Sequence, residues 1–412
     1  MALAFIGIIP FTFNFLVARS FGKEILGAIN ISISFCLIIS IFVTNFFGSS
    51  GNKYLAEYRG SNSLKPFLFV LKIMFYGPII TLSIITITIF LNWDFFTENF
   101  SLDHDLLASV ILYIFFRSFY ILLRKVFYGI DLVKSYVINE IISDIFMLIA
   151  IIYVSYTQQV SFLIECYIIS YLLFTFLSTI TLLKKLSTIA KPMNSNNDFN
   201  PQNVLKNFFG YGIISMIGTV ASTGTGYLSI IIIGSYLSTS DAGLYSSALS
   251  IISILMFVPK LFTQVFLPEF SKLFGEGNKQ KIFHILFQAN WLMILIASIL
   301  CLSVFFFSDI LLSLFGAEFI RASTVLKIMI PSVLIRIISI PFVSFLSGTK
   351  YVIYPNIGGL IIFFISIISW IFLVPEFQLI GIAIGYTLGI VIGIGYQIII
   401  AIMKIRSFKF SN

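Results

Sequence analysis

The stretch 106-LLASVILYIFFRSFYILL-123 decides the fold class, because it is mostly apolar and its one charged residue is an arginine. About 18 or more such residues with few charges are typical of a transmembrane helix. A second stretch, 325-VLKIMIPSVLIRIISIPFVSFL-346, is also mostly apolar and carries Lys327 near its start and Arg336. Its Arg336 precedes Gly348 by the same twelve residues that separate Arg117 from Gly129. A cation at the centre of a spanning helix costs about 2.5–3.5 kcal/mol, so both arginines are candidate functional residues.

The composition excludes a soluble domain. Of 412 residues, 59% are hydrophobic and 10% are charged, with a mean hydropathy of +1.05, whereas soluble domains are about 25% charged. Residues 1–18 are already apolar and lack the basic leader of a signal peptide, so we interpret them as a first spanning helix. Cys36, Cys166 and Cys301 are too scattered for a disulfide framework or a metal site, and we expect no cofactor.

Twelve stretches are long and apolar enough to span a membrane, which predicts an all-α polytopic membrane protein. Basic residues cluster in alternate loops, while the other loops hold only Arg19, Lys23 and Arg321. The positive-inside rule then places both termini in the cytoplasm. This topology accounts for the net charge of +8 without nucleic acid, and it predicts contact with anionic membrane lipids. The predicted spans are 1–18, 25–47, 67–91, 106–123, 137–156, 160–183, 208–234, 242–267, 283–307, 323–346, 354–374 and 379–403.

The chain contains an internal repeat. A polar segment at 184–203 follows six spans and has the composition of a linker between halves 1–183 and 204–412. Matching motifs are 26-LGAI-29 with 242-AGLY-245, and 55-LAEY-58 with 267-LPEF-270. Because six is even, the halves point the same way, as parallel repeats related by a pseudo-two-fold axis along the membrane normal. We therefore predict two six-helix lobes with a central ligand cavity between them.

Arg117 and Asp144 are predicted on consecutive antiparallel helices, both about 10 Å from the same end. One interpretation is a buried ion pair that makes Arg117 structural; the other is a cavity-facing Arg117. Glu140 lies one helical turn before Asp144. Two carboxylates at this depth are compatible with proton coupling and with ion pairing to Arg117.

Arg336 differs from Arg117, because every Asp and Glu in its half is predicted in a loop or at a helix end. We therefore expect Arg336 to face a cavity and bind an anion, and its planar guanidinium suits phosphate. Lys260 is another cation at membrane depth and follows Pro259, which predicts a kink. Lys260 either lines the same cavity or extends its long side chain to the interface.

Three segments resemble those of a known family. The segment 18-ARSFGKEILGA-28 resembles the Arg-x-Leu-Gly…Gly signature after the first helix of polysaccharide flippases. The run 53-KYLAEYRG-60 resembles the end of their second helix, and 310-ILLSLFGAEFIRASTVLKIM-329 resembles the stretch before their tenth. The chain is thus similar over its whole length to Wzx-like O-antigen and capsular polysaccharide flippases. Their superfamily includes multidrug and toxic-compound extruders and lipid II flippases.

The resemblance implies a transporter for an undecaprenyl-pyrophosphate-linked oligosaccharide in the bacterial inner membrane. Such a protein moves repeat units for O-antigen, and hence lipopolysaccharide, or for capsule, through a cationic cavity between its lobes. Arg19 matches the family arginine and would face this cavity from its outer end. O-antigen polymerase and a chain-length regulator are the protein partners that such a role implies.

Two other functions stay open. A multidrug extruder of the same fold would bind organic cations, for which buried acids rather than arginines are expected. A polytopic enzyme would need a clustered catalytic set, and the sequence shows neither a Ser/His/Asp grouping nor a P-loop. We therefore expect a transporter that works by alternating access, is not an enzyme and does not use ATP directly.

Overall fold

The protein is almost entirely α-helical. The computed structural model describes residues 2–100, 102–191, 193, 199–276 and 279–406, with side chains from residue 8 onward apart from that of Lys279. The α-helices in these ranges are α1 (Ala2–Gly60), α2 (Leu64–Leu91), α3 (Trp93–Phe100), α4 (Leu107–Gly129), α5 (Val133–Thr157), α6 (Leu163–Ala190), α7 (Pro201–Tyr236), α8 (Thr239–Leu255), α9 (Phe257–Gly275), α10 (Lys279–Ser313), α11 (Ser323–Ile338), α12 (Ile340–Ser347) and α13 (Ile353–Arg406). Short 3-10 helices at His104–Leu106, Val160–Phe162 and Ala317–Ala322 precede α4, α6 and α11.

Within the described ranges, nine helices are long and apolar enough to cross a membrane, and the bent pair of α11 and α12 makes ten. Two of the nine far exceed the roughly 20 residues that a bilayer requires, since α1 has 59 residues and α13 has 54. Each contains one residue with non-helical backbone angles. Gly22 has φ 79° and ψ −177°, which costs a glycine little, and Gln378 has φ 48° and ψ −124°. Both helices therefore consist of two segments, divided where the sequence predicts separate spans.

Two other predicted spans contain a break, and the one before Pro259 agrees with the kink that the sequence predicts there. The span predicted at 323–346 bends by 52° between α11 and α12. The span predicted at 242–267 divides between α8 and α9 at Met256. A proline follows each break within the first turn of the next helix, where its missing N–H is tolerated. The hydropathy pattern also misses α3, a short helix in the predicted loop 92–105.

The chain divides into two compact units. The C unit consists of Leu3–Gly27 with Ala221–Asn412, and the N unit consists of Ala28–Val220. The first segment of α1 thus packs with the second half of the chain, and the first part of α7 packs with the first half. The division into lobes 1–183 and 204–412 stays a prediction, and residues 194–198 of the predicted linker lie outside the described residues.

Glycines allow the two segments of α13 to pack closely. They recur every fourth residue on the second segment, at Gly381, Gly385, Gly389 and Gly393. A Cβ atom at Gly385 would lie 2.5 Å from Cδ1 of Trp370, and one at Gly389 would lie 2.7 Å from the carbonyl oxygen of Ile362. Small residues let helix backbones approach each other in membranes, so the glycines have a packing role.

Candidate functional site

Arg336 lies in the last turn of α11, three residues before the break at Ser339. Its side chain is half-buried. No hydrogen bond or ion pair joins its guanidinium to another residue in the described part of the chain. A guanidinium carries five N–H donors, so Arg336 presents an intact donor set inside an apolar stretch.

Ser339 and Pro341 explain the bend next to Arg336. Proline has no N–H to bond the carbonyl oxygen four residues earlier, at Ile337. The Ser339 hydroxyl donates to the carbonyl oxygen of Arg336 at 2.9 Å, and bonds of this kind often bend helices. Irregular backbone at membrane depth is tolerated where it is buried in protein or lines a water-filled cavity. The bend therefore gives Arg336 a place that suits a ligand site.

Arg117 has a different environment, in α4 of the N unit. Its guanidinium carbon lies 5.2 Å from the centroid of the Tyr120 ring and 5.1 Å from that of Tyr171. Its Nη1 donates to the Tyr171 hydroxyl at 3.3 Å. Each cation–π contact of this kind stabilises by about 0.5–2 kcal/mol. Pairing with Asp144 is one of the two roles that the sequence predicts for Arg117, and the sequence does not predict these aromatic partners.

An ion pair between α4 and α5 involves Arg124 and Glu140. Nη1 of Arg124 lies 3.5 Å from Oε1 of Glu140, and the two side chains are 18% and 1% exposed. The Tyr120 hydroxyl donates to the same carboxylate oxygen. The span predicted at 106–123 ends one residue before Arg124, whereas α4 continues to Gly129 and brings Arg124 into the cluster. Tyr120 thus contacts both Arg117 and Glu140.

Asp144 lies one turn after Glu140 and is also buried. Its Oδ2 atom and the Oε2 atom of Glu140 have no hydrogen-bond partner among the described residues. Buried polar atoms without a partner are costly, so each of these two oxygens is open to a water molecule, a proton or a cation.

Lys260 and Arg19 are exposed side chains of the C unit. Lys260 is in the first turn of α9, directly after Pro259. The guanidinium carbon of Arg19 lies 5.9 Å from the centroid of the Phe15 ring. Arg336 also belongs to the C unit, whereas Arg117, Glu140 and Asp144 belong to the N unit.

Gly27 of LGAI and Gly243 of AGLY lie in close contact within the C unit. A Cβ atom at Gly27 would overlap the carbonyl oxygen of Thr239, four residues before Gly243. A Cβ atom at Gly243 would overlap the carbonyl oxygen of Lys23, four residues before Gly27. The contact is thus reciprocal, as it is where two like segments meet at a two-fold axis. The two motifs mark a close helix–helix contact.

A second contact joins two of the family-like segments. One oxygen of the Glu318 carboxylate accepts from the backbone N–H of Lys23 at 3.0 Å, and the other lies 3.9 Å from the Lys23 ammonium. Lys23 follows the break at Gly22, so Glu318 satisfies a donor at the start of the second segment of α1. These segments therefore hold the broken part of α1 in place.

The glycines twelve residues after each arginine have similar contacts. A Cβ atom at Gly129 would lie 2.9 Å from the carbonyl oxygen of Asn52, and one at Gly348 would lie 2.8 Å from that of Leu267. Asn52 lies just before 55-LAEY-58, and Leu267 begins 267-LPEF-270. Each glycine thus packs closely against the helix that carries 55-LAEY-58 or 267-LPEF-270, at positions that differ by three residues relative to these motifs.

Metal ligands are not clustered in the described ranges, where no group of three or more His, Cys, Asp or Glu residues could hold a metal ion. Cys36, Cys166 and Cys301 are buried free thiols. The charged candidates in the C unit are cations, and the uncompensated carboxylate oxygens of Glu140 and Asp144 are in the N unit.

Two protein families match the sequence. The family described as Polysaccharide biosynthesis protein matches residues 1–274, and the MatE family matches residues 215–372. No curated protein matches the chain.

Solved structures share the fold over almost the whole chain. An inward-facing multidrug resistance MATE family transporter of the MOP superfamily has a TM-score of 0.73 at 13% identity, covering 99% of this chain and 98% of that one. Lipid II flippase MurJ in an inward closed conformation has a TM-score of 0.70 at 16% identity, covering 100% and 93%. MATE in complex with MaL6 has a TM-score of 0.70 at 13% identity, covering 99% and 94%. At these identities, the likeness establishes a shared fold.

Proposed function

The chain belongs to the polysaccharide biosynthesis protein family, and we propose that it is a flippase for a lipid-linked oligosaccharide. The proposed substrate is an undecaprenyl-pyrophosphate-linked repeat unit that crosses the inner membrane for O-antigen or capsule assembly. The observation that carries this proposal is the guanidinium of Arg336, which has no partner among the described residues and lies beside a helix break.

Pyrophosphate recognition fits the chemistry of Arg336. A pyrophosphate offers several anionic oxygens, and a guanidinium binds two of them at once through parallel N–H donors. A hydrogen bond to a charged group contributes about 1.5–3 kcal/mol. No carboxylate among the described residues pairs with the Arg336 guanidinium. A transported anion therefore does not have to displace a carboxylate in order to bind there. Lys260 and Arg19 are proposed as further cations of the same cavity, and Arg117 as a cation held by aromatic rings.

Alternating access is the proposed mechanism, with twelve spans in two lobes and both termini in the cytoplasm. Counting the two segments of α1 and of α13 separately adds two spans to the ten apolar helices of the described ranges. Gly27 and Gly243 of the repeat motifs contact each other reciprocally within the C unit, which is compatible with an internal repeat. The lipid II flippase shares the fold, which supports a lipid-linked substrate.

Ion coupling is proposed for Glu140 and Asp144 of the N unit. Arg124 and Tyr120 already engage Glu140. We propose Asp144 as the exchangeable site, because its Oδ2 has no hydrogen-bond partner among the described residues and the contacts of Arg124 and Tyr120 go to Glu140. O-antigen polymerase and a chain-length regulator stay proposed partners.

A MATE-type multidrug exporter is the second candidate, favoured by the MatE match at 215–372 and by the fold. An exporter of organic cations would meet Arg336 as a like charge. A like charge without a compensating acid is unfavourable in a poorly solvated site. Arg336 therefore favours the flippase.

The test measures whether the purified protein in vesicles flips a fluorescent polyprenyl-pyrophosphate disaccharide. A quencher added outside the vesicles reports how much of the label is in the outer leaflet. Arg336→Ala is expected to flip at least about tenfold more slowly, which corresponds to the loss of about 1.5 kcal/mol. Arg336→Lys keeps the positive charge but loses the parallel N–H donors of the planar guanidinium, so it is expected to recover only part of the flipping rate. Arg321→Ala is the matched control, because Arg321 is an exposed arginine of the same unit in the 3-10 helix Ala317–Ala322.

Two outcomes would contradict the proposal. Wild-type rates for Arg336→Ala, at equal protein abundance, would remove Arg336 from the site. Extrusion of ethidium by the wild-type protein, without flipping of the disaccharide lipid, would support the multidrug exporter instead.

A further inference from the structure

A groove of about 480 Å³ lies between α1, α2 and the start of α7, within the N unit. Aromatic rings form one side of it, from Phe46, Phe47 and Phe209. Tyr76 and Ile80 of α2 also line the groove. Its walls are thus almost entirely apolar, as in a site for a hydrocarbon chain. We call this the α2 groove.

The aromatic wall of the α2 groove is held in place by close contacts. A Cβ atom at Gly77 would overlap the Phe47 ring, so glycine lets α2 approach α1 here. The ring of Phe46 stacks on that of Phe209, with centroids 5.5 Å apart. The Ser50 hydroxyl donates to the carbonyl oxygen of Phe208 at 2.7 Å and ties α7 to α1. The groove is therefore a preformed feature.

Lys72 is the charged residue of this lining. It lies eight residues after Leu64, about 12 Å from the start of α2. Its side chain is exposed and has no hydrogen-bond or ion-pair partner among the described residues. Lys72 falls within the span predicted at 67–91. A cation at this depth is costly unless it reaches an anion or the interface.

We propose that the α2 groove binds an anionic phospholipid, with an acyl chain against the aromatic wall and its phosphodiester at Lys72. The charge selects this occupant, because one ammonium matches the single charge of a phosphodiester. A pyrophosphate carries more charge and is better matched by arginine or by several donors. The groove is therefore a site for a bilayer lipid, separate from the substrate site proposed at Arg336.

Photo-crosslinking tests this proposal with the full-length protein in nanodiscs of equal phosphatidylglycerol and phosphatidylcholine. Ile80→p-benzoylphenylalanine places the crosslinker in the groove, and the adducts are counted by mass spectrometry. Phosphatidylglycerol adducts are expected to exceed phosphatidylcholine adducts about fivefold, since about 1 kcal/mol per lysine corresponds to that factor. Adding Lys72→Gln to this variant is expected to return the ratio to about one.

Ile84→p-benzoylphenylalanine is the matched control, because Ile84 is on the same helix and is 61% exposed against 63% for Ile80, but does not line the groove. At Ile84 the adduct ratio is expected to stay near one. Equal adducts at Ile80, or a ratio unchanged by Lys72→Gln, would overturn the proposal. Displacement of phosphatidylglycerol from Ile80 by a few mole per cent of undecaprenyl pyrophosphate would also overturn it, in favour of the transported lipid.

Discussion

Glu140 has an exposed fraction of 1% and two partners, the guanidinium of Arg124 and the hydroxyl of Tyr120. Glu140→Gln removes the charge and leaves Arg124 uncompensated in a largely buried place. Breaking a buried pair in this way costs about 3–5 kcal/mol, and the retained Tyr120 contact reduces that figure. We expect a clearly lower midpoint of thermal unfolding in detergent. Asp131→Asn is the control, since Asp131 pairs with Arg59 at 3.7 Å with side chains 76% and 39% exposed, and such pairs contribute about 0–1 kcal/mol.

Asp144→Asn should separate coupling from stability within the same carboxylate pair. The Oδ2 atom of Asp144 has no hydrogen-bond partner among the described residues, so an amide loses no bond there. We expect a thermal midpoint close to that of the wild type. Transport driven by an imposed proton or sodium gradient should be lost, while exchange without a gradient persists. Gradient-driven transport that survives Asp144→Asn would refute ion coupling at this residue.

For the ion pair of Glu140 and Arg124, equal shifts of the thermal midpoint in Glu140→Gln and Asp131→Asn would refute its contribution to stability.

At the residue scale, the sequence predicts which charged residues lie at membrane depth better than it predicts their partners. The expectation that Arg336 lacks an intramembrane acidic partner follows from counting Asp and Glu, and the structure gives its guanidinium no partner among the described residues. The aromatic support of Arg117 could not be counted in this way, because Tyr171 lies on α6, 54 residues farther along the chain. Partners of this kind depend on which helices become neighbours, and hydropathy does not determine that.

At the scale of elements, Gly243 allows the close contact between α1 and α8. Gly243→Ala would place a methyl group on the carbonyl oxygen of Lys23, which is backbone and cannot rotate away. The helices must then separate, and overpacking of this kind costs about 1–3 kcal/mol. We expect a lower thermal midpoint for the purified protein and slower flipping.

Gly395→Ala is the matched control for this contact. Gly395 lies in α13 of the same unit, and a Cβ atom there would meet no heavy atom within 4 Å. Replacing a helical glycine in open space is neutral or stabilises by up to about 1 kcal/mol. A Gly243→Ala protein as stable as the Gly395→Ala protein would show that α1 and α8 are not in close contact.

Hydropathy predicts where the helices lie, but it does not predict where they bend. Pro10, Pro78 and Pro331 lie inside α1, α2 and α11, without a break at those positions. The bend before Pro341 coincides with the Ser339 hydroxyl bond to the Arg336 carbonyl oxygen. A proline thus shows where a backbone carbonyl loses its helical partner, whereas the surrounding structure determines whether the helix bends. The break at Gln378 was predictable from the polar turn 375–378, because polar residues there interrupt the apolar run.

At the scale of the whole molecule, the break at Gln378 determines on which face of the membrane the chain ends. A straight α13 of 54 residues would be about 81 Å long, more than twice a hydrocarbon core of about 30 Å. If α13 crosses twice, Lys350 and Arg406 lie on one face and Glu376 on the other. If it crosses once, Lys350 and Arg406 lie on opposite faces. All three side chains are exposed, so cysteines placed there can react.

Labelling with a membrane-impermeant maleimide distinguishes these arrangements. Cys36, Cys166 and Cys301 are buried, so they are expected to react little with the reagent. They are nevertheless replaced before a new cysteine is introduced. In intact cells we expect Glu376→Cys to react, and Lys350→Cys and Arg406→Cys to react only after lysis, since the positive-inside rule predicts that the basic loops are cytoplasmic. Labelling of only one of Lys350→Cys and Arg406→Cys in intact cells would mean that α13 crosses once. The chain would then have eleven spans, an odd number, if the other ten predicted spans hold, and the parallel six-helix repeats would be wrong.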